Sequence, residues 1–182
     1  EDFKIIVSLR EIIMSTCRKI FTVITIIWMV VIFAYSAQPG PESTEDSIWA
    51  GMLFGRIFVP DFEEWSHEEQ LEFAKGIDHP VRKAAHATEY AILGFFATFA
   101  WNKSKNKGYK RFLVPWLFAS IYAATDEIHQ LFVPGRHGSI WDVLLDSSGA
   151  VLGVLAALFI VRIGSKRKEQ ACAADSKCKI NT

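Results

Sequence analysis

The chain contains four long apolar runs separated by polar segments, and these runs restrict the folds that are open to it. Residues 20–35 carry no charge, and residues 141–163 form the longest run, which Asp142 and Asp146 interrupt near its start. Runs of this size approach the roughly 20 residues that a helix needs to cross a bilayer. We therefore predict an all-α integral membrane four-helix bundle, with spans at about 20–36, 84–101, 112–133 and 141–163.

The first apolar run also has features of a secretory signal peptide. Arg18 and Lys19 precede it, and the small residues Ala34, Ser36 and Ala37 lie at its end. Such a pattern is typical of a cleaved leader. The later runs require a membrane in either case, so we interpret the first run as a retained span.

The distribution of basic residues predicts one orientation in the membrane. Fifteen of the 20 Lys and Arg residues lie within residues 1–19, 102–111 and 162–182, whereas residues 36–83 carry ten acidic and only four basic side chains. Basic loops stay on the cytoplasmic side. We therefore expect both termini and the 102–111 loop inside, and the 36–83 loop and the 134–140 turn outside.

The same pattern divides the chain into three parts. We expect a cytoplasmic segment at 1–19, a membrane domain at 20–163 and a basic cytoplasmic tail at 164–182. Residues 1–13, which precede Met14, are interpreted either as an upstream extension or as an amphipathic helix on the inner leaflet. The 20 basic and 20 acidic residues cancel, which argues against a nucleic-acid binder that works through overall charge. The apolar runs make the lipid bilayer the expected partner.

The long outer loop is predicted to contain short interfacial helices. Residues 43–46 form a helix start, and the apolar stretch 48–58 after it is too short and too interrupted by glycine to cross the bilayer. Ser66 and Glu69 then have the spacing of a capping box.

Polar side chains inside the apolar runs gather at the outer ends of the spans. Charged groups at membrane depth are costly, so they usually pair with one another or serve a function. The group comprises Gln38 after the first span, Arg82, Lys83, His86 and Glu89 in the second, Asp126, Glu127, His129 and Gln130 in the third, Arg136 in the outer turn, and Asp142 and Asp146 in the fourth.

Glycine spacing predicts how the fourth span packs. Asp142, Asp146, Gly149 and Gly153 share one helix face. Glycines at this spacing allow a neighbouring helix backbone to approach closely. We therefore expect the face that carries both aspartates to press against the other helices.

Three roles are consistent with the polar group. It can be structural, with charge pairs holding the helices together. It can be catalytic, with proton transfer by His86, Glu89, Asp126 and His129 and with a divalent metal as an open option. It can bind a polar head group without changing it, and Arg82, Lys83 and Arg136 would then hold an anion.

Three stretches of the sequence resemble the VanZ-like family of small bacterial membrane proteins. They are YSAQPG at 35–40, RKAAHATEYAILG at 82–94 and TDEIHQLFVPGRHGSIWDVLLDSSGAVLG at 125–153. The resemblance implies a helical protein with four spans. The positions that match the family pattern are Ser36, Gln38, Arg82, Lys83, His86, Glu89, Tyr90, Asp126, Glu127, His129, Gln130, Arg136, Asp142 and Asp146.

The resemblance also implies a role at the cell envelope. The founding member of the family is associated with low-level resistance to teicoplanin. This lipoglycopeptide acts on cell-wall precursors at the outer face of the cytoplasmic membrane. We therefore expect an outer-leaflet pocket that binds an amphiphile, either a lipoglycopeptide or a lipid-linked envelope precursor. The alternatives are a membrane-embedded hydrolase or transferase acting on such a precursor, and an accessory protein with a charge-paired helix bundle.

Overall fold

A computed structural model describes the backbone of residues 2–101 and 108–180. Those residues form six α-helices and one 3₁₀ turn and contain no β-strand, so the all-α prediction is confirmed. Residues 102–107 of the predicted inner loop lie outside the described residues. The helices are α1 (Asp2–Ser36), α2 (Gly40–Phe58), α3 (His67–Gly76), α4 (Asp78–Trp101), α5 (Lys110–Gln130) and α6 (Ile140–Ile180), with the 3₁₀ turn at Phe62–Glu64.

Two helices in the described part of the chain are long and apolar enough to cross a membrane. They are the Ile12–Ser36 part of α1 and the Ile140–Lys166 part of α6. Much of their apolar surface is exposed, as Val30 (62% exposed) and Leu152 (67% exposed) illustrate. The other two predicted spans fall in α4 and α5, whose ends carry more ionisable groups.

Several helices extend beyond the predicted spans. Helix α1 begins at Asp2, and α6 continues to Ile180 through the segment predicted as a tail. The α6 extension is rich in Lys, Arg, Glu and Ala, which have good helix propensity, and neither extension contains a proline that would end the helix. Helix α2 begins at Gly40, before the predicted start at 43–46, because Pro39 and Pro41 favour a helix start there.

The predicted close approach of α6 to another helix is confirmed, and its partner is α4. A Cβ atom on Gly153 would collide with the Ala91 carbonyl oxygen, and one on Gly149 would collide with the Ala87 carbonyl oxygen. No side chain larger than hydrogen fits at either position. The backbone contact therefore fixes the α6 face that carries Asp142 and Asp146 against α4.

Aromatic side chains connect α1 to the helices beside it. The Trp28 indole donates a hydrogen bond of 2.9 Å to the Glu89 carbonyl oxygen, and the Tyr122 hydroxyl donates one of 2.7 Å to the Met29 carbonyl oxygen. Buried residues from α1, α4, α5 and α6 fill the space between the four helices. The buried cluster consists of Ile32, Tyr90, Leu93, Ala119, Ala123 and Ala150.

The segment between α1 and α4 folds back on itself around one aromatic residue. Phe62 is 1% exposed and its ring lies against Gly55 of α2 and against Trp65 and Phe73. Gly51, which lies against Ala74, and Gly55 are thus packing sites, and α2 runs through both without a break. The capping box predicted at residues 66–69 is confirmed, with both of its hydrogen bonds present.

Candidate functional site

Five helix ends and one turn meet at the same end of the protein. The carboxyl ends of α1 and α5 lie there with the amino ends of α2, α4 and α6. The turn after α5 contacts the start of α2, where the Gly40 amide donates a hydrogen bond of 3.0 Å to the Pro134 carbonyl oxygen. This arrangement brings the polar residues singled out from the sequence into one region of the fold.

A buried hydrogen-bond network joins the carboxyl ends of α1 and α5. The Ser36 hydroxyl donates a hydrogen bond of 2.7 Å to Oδ2 of Asp126, and the Gln130 amide donates one of 3.3 Å to the same oxygen. All three side chains are buried. Ser36 therefore serves here as a hydrogen-bond donor to a carboxylate that would otherwise be costly to bury.

Arg136 binds the carboxyl end of α1. Its Nε donates to the Gln38 carbonyl oxygen and its Nη2 to the Tyr35 carbonyl oxygen, each at 3.2 Å. Among the described residues no carboxylate lies within ion-pair distance of this guanidinium. Burial lowers the pKa of Arg136, and the positive charge of Arg82 lowers it further, although arginine stays charged at neutral pH.

Two further contacts hold α6 in place. Lys83 of α4 pairs with Asp142, with Nζ 2.8 Å from Oδ1. Glu127 of α5 accepts a hydrogen bond of 2.7 Å from the Ser139 amide, and the Ser139 hydroxyl accepts one of 3.2 Å from the Trp141 amide at the start of α6. These contacts give Lys83, Glu127 and Asp142 structural roles in addition to any role in binding.

Two adjoining cavities open among these helix ends. Cavity A, of about 200 Å³, lies between α4, α5 and α6, and cavity B, of about 370 Å³, lies between α1, α2 and α4. Arg82, His86 and Arg136 line both. Cavity A is lined in addition by His79, Lys83, Glu127, Gln130, Gly135, His137, Asp142, Leu145 and Asp146. Cavity B is lined in addition by Tyr35, Gln38, Ser43, Asp46, Ser47, Trp49, Ala50, Val81, Ala85 and Glu89.

The four residues predicted to transfer protons separate into two pairs. His86 and Glu89 are half-buried neighbours on α4 that line cavity B, with Nδ1 and Oε2 3.5 Å apart. Asp126 and His129 line neither cavity in the described structure, and the His129 ring stacks on Phe33 at a centroid distance of 4.5 Å. The rotation of α5 decides this, because it places Asp126 against Ser36 of α1 and His129 against Phe33 of α1.

The structure adds a polar junction between α2 and α4 that the sequence analysis missed. Nη2 of Arg82 lies 2.6 Å from Oδ2 of Asp78 and 3.1 Å from the Thr44 hydroxyl, and the Ser47 hydroxyl donates to the other oxygen of Asp78. Asp78 and Arg82 are four residues apart in the sequence, which is the spacing of a helical ion pair. The Asp78–Arg82 ion pair could therefore have been predicted from the sequence. The contact of this pair with α2 depends on the tertiary structure.

Acid is expected to loosen this junction. Partial burial works to raise the pKa of Asp78, but the hydrogen bonds from Arg82 and Ser47 and the charges of Arg82 and His79 outweigh it, so the pKa is lowered from 3.8. A carboxyl group whose pKa is lower in the folded state than in the unfolded state stabilises the fold at pH values above its unfolded-state pKa. This stability is lost as the pH falls through its folded-state pKa. Thermal unfolding in detergent between about pH 2 and 6 should show a loss of stability of roughly 1 kcal/mol in the wild type, and this loss should be absent in Asp78→Asn.

Asp61→Asn provides the control for this measurement, because Asp61 is an exposed aspartate between the 3₁₀ turn and α2 whose backbone conformation asparagine also adopts. It should retain the acid dependence of the wild type. An Asp78→Asn variant with the same acid dependence as wild type would contradict the assignment.

The described residues do not assemble a metal site. No group of three or more His, Cys, Asp or Glu side chains among them has an arrangement that could hold a metal ion.

The model of the VanZ/LLP1 family matches residues 21–162. The matched region runs from α1 into α6 and contains every residue of the two cavities. Comparisons with curated proteins and with solved structures give no significant match.

Proposed function

The chain belongs to the VanZ/LLP1 family, and its two long apolar helices indicate a membrane protein. We propose that it crosses a bacterial cytoplasmic membrane four times, with both termini inside. In this topology the helix ends that form cavities A and B face the outer leaflet. We propose further that these cavities bind the anionic head of an amphiphile, with a role in teicoplanin resistance or in maintenance of the cell envelope.

The observation that carries this proposal is the environment of Arg136. Its guanidinium lines both cavities, its hydrogen bonds go to backbone carbonyls, and it lies close enough to Arg82 for the charge of Arg82 to lower its pKa. Arg82 is already paired with Asp78, whereas Arg136 has no carboxylate partner among the described residues. A phosphate or carboxylate between the two guanidinium groups would form charge-assisted hydrogen bonds with Arg136 and lower the repulsion that remains between them. An anionic head group is the ligand that suits this pair.

An apolar groove beside the cavities supports an amphiphilic ligand. It has a volume of about 770 Å³ and lies between α1, α4 and α6. On α4, Ala85 and Glu89 line cavity B, whereas Thr88, Ala91 and Ile92 line the groove. Head and tail of one molecule would therefore bind along successive turns of the same helix.

Loss of function on Arg136→Gln is the expected result that tests the proposal. A glycopeptide-sensitive Gram-positive host would express wild type, Arg136→Gln or Arg56→Gln, with membrane levels matched by blot. Teicoplanin and vancomycin susceptibility would then be measured. We expect wild type to raise the inhibitory concentration of teicoplanin selectively, and Arg136→Gln to remove most of that protection, since a charged hydrogen bond is worth about tenfold or more in affinity.

Arg56 is exposed on α2 and lines neither cavity, so Arg56→Gln should protect like wild type. Equal protection by Arg136→Gln would overturn the proposed anion site. Absence of protection by wild type would remove the resistance role, and binding of envelope lipids to the purified protein would then be the test of the cavity.

A membrane-embedded enzyme is a second candidate, favoured by the His86–Glu89 pair. A carboxylate beside a histidine supports general acid–base chemistry, and both side chains line cavity B. Mass spectrometry of lipid-linked precursors after incubation with the protein separates the two functions. A binder returns the precursor intact, whereas a hydrolase or transferase yields a product that Glu89→Gln no longer forms.

A further inference from the structure

Asp146 is the most unusual residue of cavity A. It lies one turn beyond Asp142 on α6, is 1% exposed and lines the cavity, yet neither of its carboxylate oxygens has a hydrogen-bond partner in the described structure. By contrast, the other buried aspartate at this end, Asp126, accepts hydrogen bonds from two side chains. Burying a carboxylate without partners is costly, and such groups commonly mark a binding site.

The carboxylate of Asp146 would bind a ligand group that donates hydrogen bonds. Arg136 and Arg82 line the same cavity, and their guanidinium groups would bind an anionic group. A ligand that carried only negative charge would leave Asp146 without a partner and would face the carboxylates of Glu127 and Asp142 as well. A ligand that carries both a hydrogen-bond donor and an anionic group would bind to both parts of the cavity.

The size of cavity A limits that ligand to a small group. Its volume of about 200 Å³ is below the roughly 300–1,000 Å³ of pockets that hold drug-sized ligands. This is enough for a phosphate with a short amine arm and too little for a glycopeptide. The ligand is therefore a lipid head group or a comparably small part of a larger molecule.

We propose that cavity A binds a zwitterionic phospholipid head group of the phosphoethanolamine type, with its primary ammonium on Asp146 and its phosphate toward Arg82 and Arg136. This inference rests on the proposed function and names the chemical class of its ligand. The ammonium supplies N–H donors to the unpartnered oxygens of Asp146. A quaternary choline head lacks those donors, and a phosphatidylglycerol head lacks the positive charge.

Lipid competition on the purified chain tests the proposal. Native mass spectrometry in detergent would compare phosphatidylethanolamine, phosphatidylcholine and phosphatidylglycerol with identical acyl chains. We expect wild type to retain phosphatidylethanolamine about tenfold more strongly than either other lipid, because a charge-assisted hydrogen bond is lost with each of them. Equal retention of all three lipids would overturn the zwitterion assignment.

The variants separate this inference from the proposed function. Asp146→Asn should reduce retention of phosphatidylethanolamine to the level of phosphatidylglycerol, and Asp61→Asn, outside both cavities, should leave it unchanged. Arg136→Gln should weaken all three lipids, because each contains the phosphate. If Arg136→Gln weakens all three but Asp146→Asn has no effect, the anion site stands and the ammonium site is wrong. If Arg136→Gln changes nothing, the proposed function itself fails.

A wild-type measurement covers the case in which Asp146→Asn does not fold. Soluble phosphoethanolamine and ethyl phosphate differ in the amine alone. We expect phosphoethanolamine to raise the melting temperature of the wild type in detergent and ethyl phosphate to raise it less. Equal stabilisation by the two compounds, or stabilisation by neither, would overturn the proposal.

Discussion

Gly153→Ala is expected to lower the free energy of unfolding by about 3 kcal/mol or more, at the upper end of the cost of overpacking a helix contact. The added Cβ atom would collide with the backbone carbonyl oxygen of Ala91. A backbone atom cannot move aside as the end of a flexible side chain can. Helices α4 and α6 would have to separate, and the Lys83–Asp142 ion pair across the same interface would be disturbed with them.

Gly164→Ala is the matched control, because Gly164 lies on the same helix and a Cβ atom there meets no other atom within 4 Å. Alanine in an open helical position is expected to stabilise the helix by up to about 1 kcal/mol. Unfolding of both variants would be followed by circular dichroism in detergent. A Gly153→Ala variant as stable as Gly164→Ala would show that α4 and α6 are not in backbone contact.

Asp126→Ala is expected to cost about 3 kcal/mol, because it removes the shared acceptor of a buried network. Ser36 and Gln130 would each lose the oxygen to which they donate. Asp126→Asn should cost much less. The asparagine carbonyl can accept from Ser36 as Oδ2 does, and its amide then occupies the place of Oδ1, which has no partner in the described structure.

The pair of Asp126 variants also tests a catalytic role for this residue. Unfolding in detergent gives the stability of each variant, and teicoplanin protection or lipid conversion gives its function. If Asp126→Asn is stable and functional, Asp126 acts through the fold. If it is stable and inactive, the predicted part in proton transfer is supported. An Asp126→Ala variant as stable as wild type would contradict the network itself.

Features that depend on a few neighbouring residues could be predicted from the sequence. The Ser66–Glu69 capping box and the small-residue face at Gly149 and Gly153 depend on spacing along one helix, and both appear as predicted. The apolar composition of residues 20–35 and 141–163 was sufficient to indicate two helices that are long and apolar enough to cross a membrane. Spacing also predicted that His86 and Glu89 share a face, because residues three apart lie on the same side of a helix.

The tertiary structure decided which of the polar residues face one another. The sequence placed His86 and His129 in one polar group, but the packing of α5 turns His129 toward Phe33 of α1 and leaves His86 at the junction of the two cavities. Likewise, no local pattern indicated that Arg136 would bind the end of α1 or that Asp146 would be buried without a partner. The spacing of residues determines which side chains share a helix face, but the rotation of each helix against its neighbours depends on packing of the whole chain.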